Sequence, residues 1–160
     1  MRFRKSALRI GIIGAGSCDT ATAEIARETG RLLAERGALL YCGGLSGVME
    51  AACQGAVSAG GTTIGIIPGN TPQDANPYVT IPVATGLGQA RNLVIINSSD
   101  ALIAISGRYG TLSEIAFALK LGKPVIGLST WREIPGVIET SSPEEAVNLA
   151  IKEALQQRWK

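Results

Sequence analysis

The stretch ALIAISGRYGTLSEIAFALKLG, residues 101–122, decides the fold class. It opens with five consecutive apolar residues, passes through a turn with two glycines, and continues with helical spacing over residues 111–121 before Gly122. A short run that is apolar on both faces is typical of a parallel strand covered on both sides. We therefore predict a strand, a turn and a helix in this order.

The same unit recurs along the chain. Further apolar runs lie at residues 8–13, 38–42, 62–67 and 125–128, with shorter strands predicted near 79–83 and 137–139. Helical patterns lie between them, one ending at Gly37, others over 47–59 and 88–97, and a last one beginning at Ser142, Pro143 and Glu145. Alternation of this kind predicts one α/β domain over residues 1–160: a three-layer, Rossmann-like, doubly wound and mainly parallel sheet with helices on both faces.

Composition excludes several classes of chemistry. The 160 residues include no histidine, which excludes Ser-His-Asp catalysis and imidazole metal ligands. Cys18, Cys42 and Cys53 are odd in number and lack C-x-x-C spacing, so we expect no disulfide framework, no metal site and a reducing cytoplasm. A net charge of +2 gives no indication of nucleic-acid binding. The basic residues 1–5 precede a segment too short and too glycine-broken for export or for a membrane span.

Three glycine-rich turns follow predicted strands, at residues 14–18, 43–47 and 106–111. Any one of them could be an ordinary tight turn, but the carboxyl ends of parallel strands share one edge, where ligands bind. The first turn lacks the third glycine of a dinucleotide fingerprint, and no turn has the Gly-Lys-Ser/Thr of a P-loop. We therefore predict a binding site for a phosphorylated small molecule at this edge of the sheet. The candidate ligand-binding residues are Gly14, Gly16, Ser17, Gly43, Gly44, Ser46, Gly47, Arg91, Ser106, Gly107, Arg108, Tyr109, Gly110, Thr111 and Glu114.

Four of these residues also have an ordinary structural interpretation. Thr111 and Glu114 have the spacing of a capping box, which the local sequence favours, or Glu114 is a carboxylate facing a ligand. Arg91 taken alone is typical of a solvated helix residue. Arg108, inside a glycine turn, either adds a cation to an anion site or points to solvent.

Several motifs together resemble the LOG-like Rossmann family, once labelled lysine decarboxylases. They are GGLSGVM at 43–49, GG at 60–61, GIIP at 65–68, Arg91, Asp100 and GRYGTLSE at 107–114. The family includes phosphoribohydrolases, which cleave nucleoside 5′-monophosphates to the base and ribose 5-phosphate, and a branch of molybdenum cofactor carrier proteins. In the hydrolase branch, the resemblance implies catalytic roles for Arg91 and Glu114, and a phosphate-binding turn that includes Gly107, Gly110 and Thr111.

Three positions depart from the hydrolase pattern. Asn92 stands where the resemblance implies lysine, Ser106 where it implies proline, and Arg108 where it implies glycine. These departures favour the carrier branch. The resemblance therefore implies a binding protein for molybdenum cofactor or a related nucleotide-like anion, with the phosphoribohydrolase as the alternative. It further implies that no metal or catalytic cofactor is required, and that the chain forms a homodimer or homotetramer.

Overall fold

A computed structural model describes residues 6–158, in which strands and helices alternate. The basic start of the chain, residues 1–5, lies outside the described residues. The strands are β1 (Arg9–Gly14), β2 (Leu39–Cys42), β3 (Thr63–Ile67), β4 (Ile81–Ala84), β5 (Ala101–Ile105), β6 (Val125–Leu128) and β7 (Val137–Thr140). The α-helices are α1 (Thr20–Glu35), α2 (Val48–Ser58), α3 (Arg91–Ser98), α4 (Tyr109–Lys120) and α5 (Pro143–Gln157), with short 3-10 turns at Pro72–Asp74 and Gly88–Ala90.

The seven strands form one sheet in the order β4-β3-β2-β1-β5-β6-β7, and every neighbouring pair is parallel. At the centre, Ile10 of β1 pairs with Ala101 of β5. The predicted Rossmann-like, doubly wound architecture is confirmed. The strand order reverses between β1 and β5, and this switch point is where open α/β sheets bind their ligands.

Two hydrophobic cores cover the two faces of the sheet. Helices α1, α2 and α5 contribute to one core, and α3 and α4 to the other. All five residues of β5 are fully buried, which explains the uninterrupted apolar run in the sequence. Helices α1 and α2 pack closely because each carries a glycine at the contact. A Cβ on Gly30 would lie 1.9 Å from the Ala52 carbonyl oxygen, and one on Gly55 would lie 1.8 Å from that of Arg27.

Some helices and strands begin at residues other than those predicted from the sequence. Helix α4 begins at Tyr109, so the prediction of Thr111 as its N-cap is wrong, and Glu114 makes no reciprocal capping bond. The predicted helix over 88–97 begins as a 3-10 turn and becomes α-helical at Arg91. Strand β4 begins two residues later than predicted. In α5, Ser142 is the N-cap, as predicted.

Asp100 stands at the opposite end of β5 from the carboxyl edge. Its carboxylate pairs with Arg9 at 2.8 Å and with Arg158 at 2.7 Å, which joins the first strand to the end of α5. Burial opposes ionisation of Asp100, but the hydrogen bonds from Arg9 and Arg158 outweigh it and lower its pKa. Asp100 therefore belongs to the framework of the fold. No helix within residues 6–158 has the length and apolarity needed to cross a bilayer.

Candidate functional site

A cleft of about 340 Å³ opens at the carboxyl ends of the central strands. Its volume falls in the range of small-molecule sites, roughly 300–1,000 Å³. The lining comes from β1 and its following turn, from the end of β2, and from α2, α3 and α4. The lining residues are Ile12, Ile13, Gly14, Ala15, Gly16, Ser17, Gly43, Met49, Gln89, Arg91, Asn92, Arg108, Gly110, Thr111 and Glu114.

The N-terminus of α4 opens toward this cleft without a side-chain cap. Arg108 occupies the N-cap position and makes no capping bond with its side chain. The first intrahelical bond runs from the Leu112 N–H to the Arg108 carbonyl at 2.9 Å, so the three preceding N–H groups, of Tyr109, Gly110 and Thr111, have no partner within residues 6–158. Free N–H groups at the positive end of a helix dipole form a favourable site for an anion.

The turn that leads into α4 has an unusual backbone. Ser106 has φ +53° and Gly107 has φ +100°. A Cβ on Gly107 would lie 2.1 Å from the Thr111 hydroxyl oxygen, so this position requires glycine. Proline fixes φ near −65° and could not adopt the conformation of Ser106. The turn therefore differs in backbone from one built on proline at this position.

The other two glycine turns are less open to an anion. The Asp19 carboxylate caps α1 by accepting the Thr22 N–H at 2.8 Å. In α2, the Val48 N–H donates to the Ala15 carbonyl at 2.9 Å, and Glu50 adds a negative charge to the first turn. Of these three helix N-termini, α4 is the one that carries neither a cap nor an acidic residue in its first turn.

Arg91 is held inside the protein, with only 9% of its surface exposed. Its Nε donates to the Ile66 carbonyl at 2.8 Å, its Nη2 lies 3.4 Å from the Gly43 carbonyl, and it also bonds the Asn92 side chain. The interpretation of Arg91 as a solvated helix residue is wrong, because backbone carbonyls distant in sequence accept its hydrogen bonds. Burial lowers its pKa, against the opposing effect of Glu114.

Glu114 is the carboxylate of the lining and is as buried as Arg91. Burial raises its pKa to about 7, although the positive charge of Arg91 opposes this shift. No hydrogen-bond donor reaches its oxygens within the part of the chain that the structure describes. At neutral pH, Glu114 therefore populates both protonation states, which is a property of groups that transfer protons.

Arg108 lies at the mouth of the cleft with an exposed side chain. Its backbone carbonyl accepts a hydrogen bond from the Trp131 Nε1 at 3.1 Å, and its guanidinium has no partner within residues 6–158. Both of its interpretations stay predictions, because Arg108 lines the cleft and its side chain is also open to solvent. The lining as a whole carries Arg91, Arg108 and Glu114 as its charged groups.

The structure separates the sequence-predicted residues into two groups. Gly14, Gly16, Ser17, Gly43, Arg91, Arg108, Gly110, Thr111 and Glu114 line one cleft. Gly44, Ser46, Gly47, Ser106, Gly107 and Tyr109 lie outside the lining. Some of the second group shape the turns instead. The Ser46 hydroxyl, for example, donates to the Gly16 carbonyl at 2.7 Å and fastens two turns together.

Sequence reasoning did not select six lining residues. Gln89 and Asn92 flank Arg91 in the chain, and this proximity is a signal that could have identified them. Ile12, Ile13, Ala15 and Met49 have only apolar or small side chains and carry no such signal. Within residues 6–158, no group of three or more metal-ligating side chains is placed to hold a metal ion.

A glycine-rich cleft at the switch point of a parallel sheet defines a ligand-binding protein of the Rossmann-like class. The chain belongs to the SLOG cluster4 family, whose model matches residues 7–158. This family assignment confirms the resemblance to LOG-like Rossmann proteins.

Two relatives in sequence illustrate the range of this group. The chain is 48% identical over 149 residues to an uncharacterized protein of Archaeoglobus fulgidus, covering 93% of this chain and 98% of that protein. It is 30% identical over 127 residues to the cytokinin riboside 5′-monophosphate phosphoribohydrolase of Mycobacterium tuberculosis, covering 71% of this chain and 66% of that enzyme.

Two solved structures match nearly the whole fold. The molybdenum cofactor binding protein of Rippkaea orientalis superimposes with a TM-score of 0.88 at 38% identity, covering 95% of this chain and 99% of that one. The molybdenum cofactor carrier protein of Chlamydomonas reinhardtii gives 0.83 at 34% identity, covering 93% and 99%. The predicted similarity to the carrier branch is confirmed.

Proposed function

We propose that this chain is a binding or carrier protein for a phosphorylated small molecule, with molybdenum cofactor as its ligand. The observation that carries the proposal is the uncapped N-terminus of α4, where Arg108, Gly110 and Thr111 line a cleft of ligand size. The similarity to two cofactor-binding proteins over nearly their entire length supports the identity of the ligand.

The residues of the cleft fit the phosphate and the organic part of such a ligand. Gly16 and Gly110 line the cleft, and a Cβ on either would meet no atom of residues 6–158 within 4 Å. The space above these two glycines is therefore available to a ligand that approaches the backbone closely. The phosphate would lie on the free N–H groups of Tyr109, Gly110 and Thr111 at the start of α4, which we call the phosphate seat. Arg108 would balance the charge of the phosphate. The bound cofactor would supply its molybdenum and its dithiolene as cargo.

The experiment is to isolate the chain from a host that makes molybdenum cofactor. Oxidation converts bound cofactor to a fluorescent pterin, which can be quantified together with molybdenum by mass spectrometry. We expect pterin and metal in equal amounts, both reduced in Arg108→Ala. A chain that carries neither, and that also acquires neither from added cofactor, would contradict the proposal.

Glu114 favours a second candidate function, the hydrolysis of a nucleoside 5′-monophosphate. A buried carboxyl with a pKa of about 7 could protonate a leaving base or activate water, while Arg91 orients the sugar phosphate. The similarity to a phosphoribohydrolase supports this alternative. Incubation with AMP separates the two functions: the carrier leaves AMP intact, whereas a hydrolase releases adenine and ribose 5-phosphate and loses that activity in Glu114→Gln.

We also propose that the chain associates into a homodimer or homotetramer. Helices α3 and α4 lie on the same face of the sheet and carry the exposed apolar side chains Leu93 and Phe117, and the exposed Leu121 directly follows α4. Association would remove these side chains from water. Sedimentation velocity tests this proposal, and a monomer at all concentrations would contradict it. We propose no nucleic-acid partner and no membrane partner.

A further inference from the structure

A second cavity, of about 490 Å³, lies beside the cleft at the carboxyl ends of β6 and β7. The ends of both strands, the loop between them and the first turn of α5 form its walls. Its lining includes Ser129, Thr130, Trp131, Arg132 and Glu139. The cavity is larger than the cleft, and the residues of the proposed phosphate seat are not part of its lining.

Two hydrogen bonds join this cavity to the turn that leads into α4. The Thr130 hydroxyl donates to the Ser106 carbonyl at 2.6 Å, and the Trp131 indole donates to the Arg108 carbonyl at 3.1 Å. Arg108 immediately precedes the first free N–H group of α4. The wall of the second cavity therefore begins within one residue of the proposed phosphate seat.

Aromatic surface is concentrated at this boundary. The rings of Tyr109 and Trp131 lie 5.8 Å apart with an interplanar angle of 38°, and Tyr109 is 79% exposed. Aromatic residues make up only 4% of the chain, and two of them lie side by side here, one with an exposed ring. Exposed π faces stack with planar rings of many kinds.

The cavity also presents polar groups that are not fully used within the protein. The Glu139 carboxylate accepts the Glu133 N–H at 2.9 Å through Oε1, which leaves Oε2 without a partner in the described residues. The Arg132 guanidinium likewise has no partner there, and its side chain is exposed. A carboxylate oxygen accepts from a ring amino group, and a guanidinium donates to a ring carbonyl or nitrogen.

The backbone of the connecting loop is strained where it approaches the cavity. Ser129 has φ +52° and Glu133 has φ +59°, values that residues other than glycine seldom adopt. Such conformations cluster at ligand-binding segments, where surrounding contacts hold them in place. Here the Glu139 carboxylate holds the Glu133 N–H.

We propose that this second cavity holds the amino-substituted heterocyclic ring of the ligand, with the ring against Trp131 and Tyr109 and its amino edge at Glu139. The proposal rests on the phosphate seat argued above, because the phosphate of the same molecule occupies that seat. Ring and phosphate would then bind on opposite sides of the 106–108 turn.

The test compares a ligand with the ring and one without it. Neopterin monophosphate and ribose 5-phosphate are titrated by calorimetry into the wild-type chain, two cavity variants, Arg132→Gln and Glu139→Gln, and the control variant Glu144→Gln, whose exposed carboxylate lies outside the cavity. We expect the wild type to bind the pterin about tenfold more tightly. Arg132→Gln and Glu139→Gln should each lose most of that advantage, while ribose 5-phosphate binds all four within about twofold.

Ribose 5-phosphate serves as the folding control for each variant, since an intact seat binds it. Unchanged pterin affinity in both variants would overturn the assignment of the ring to this cavity and leave the phosphate seat standing. If the wild type binds neither ligand, the seat itself fails, and the ring site fails with it.

Discussion

Arg91 stabilises the ionised form of Glu114 across the cleft, yet the two side chains form no ion pair within 4 Å in the described part of the chain. The carbonyls of Ile66 and Gly43 hold the guanidinium in place. Glu114 therefore keeps a pKa of about 7, where a close ion pair would have brought it down. A ligand entering the cleft meets a fixed cation and a carboxyl that can exist in either protonation state.

The first prediction concerns Glu114 and stability. Its pKa in the folded state is about 7 against an ordinary value of 4.5, so the folded protein binds this proton more tightly than the unfolded chain does. Its contribution to stability is full below pH 4.5 and is lost as the pH rises to 7. We expect Glu114→Gln to be about 2–3 kcal/mol more stable than wild type at pH 8, and equal to it near pH 4.5.

Urea unfolding at a series of pH values measures this difference, with Glu153→Gln on α5 as the control. An equal gain at every pH would mean that the substitution acts through packing and leaves the account of the Glu114 charge without support.

A second prediction concerns Arg108, whose side chain makes no hydrogen bond within residues 6–158 and which lies at the mouth of the cleft. The variant Arg108→Ala removes this cation and should weaken sulfate binding about fivefold, because a charge-assisted contact to the anion is lost. The melting temperature should change by less than about 2 °C, since the side chain is exposed. Lys120→Ala, at the other end of α4, controls for net charge. If both variants bind sulfate equally well, Arg108 faces away from the anion.

The conformation of the turn before α4 gives a third prediction. Proline at position 106 would require a negative φ where the structure has +53°, and it would remove the N–H that donates to the Leu128 carbonyl. We expect Ser106→Pro to lower the melting temperature and to weaken sulfate binding more than tenfold. Ser106→Gly, which tolerates positive φ, should bind sulfate as the wild type does. Wild-type binding by the proline variant would show that the turn has another backbone.

The Asp100 cluster gives a fourth prediction, on stability alone. Asp100→Asn should cost about 2 kcal/mol at pH 7, because the ion pairs with Arg9 and Arg158 are lost. The lowered pKa of Asp100 means that its contribution is present above the ordinary carboxyl pKa of 3.8 and is lost as the pH falls below it. The cost should therefore shrink in acid. The control is the unfolding of Asp74→Asn, because Asp74 is an exposed carboxylate that has no such partner among the described residues.

The sheet could be predicted from the sequence because its strands are buried on both faces. Each central strand is a run of apolar residues, such as Ala101–Ile105, and the glycines that follow mark the turns. The pattern of strands and helices then allows few topologies. Helix starts were harder to predict. The first turn of α4 depends on a positive φ at Ser106, and serine has no preference for positive φ that would have indicated it.

The site could be predicted only in part, for a different reason. Glycine turns at one edge of the sheet identified the cleft, but the role of Arg91 depends on acceptors 25 and 48 residues away in the chain. The difference between the three helix N-termini depends on Asp19 and on the Ala15 carbonyl, which only the folded backbone brings into place. The second cavity has no motif of its own, because the loop that forms it is irregular.

The most direct test of the central claim is an NMR titration of the ¹⁵N-labelled chain with sulfate, an anion whose charge does not change near neutral pH. The account predicts saturable shifts of the Tyr109, Gly110 and Thr111 amide signals, and none at Thr20–Thr22, where Asp19 already caps the helix. Sulfate shifts confined to α1 or α2, or shifts that never saturate at any position, would contradict it.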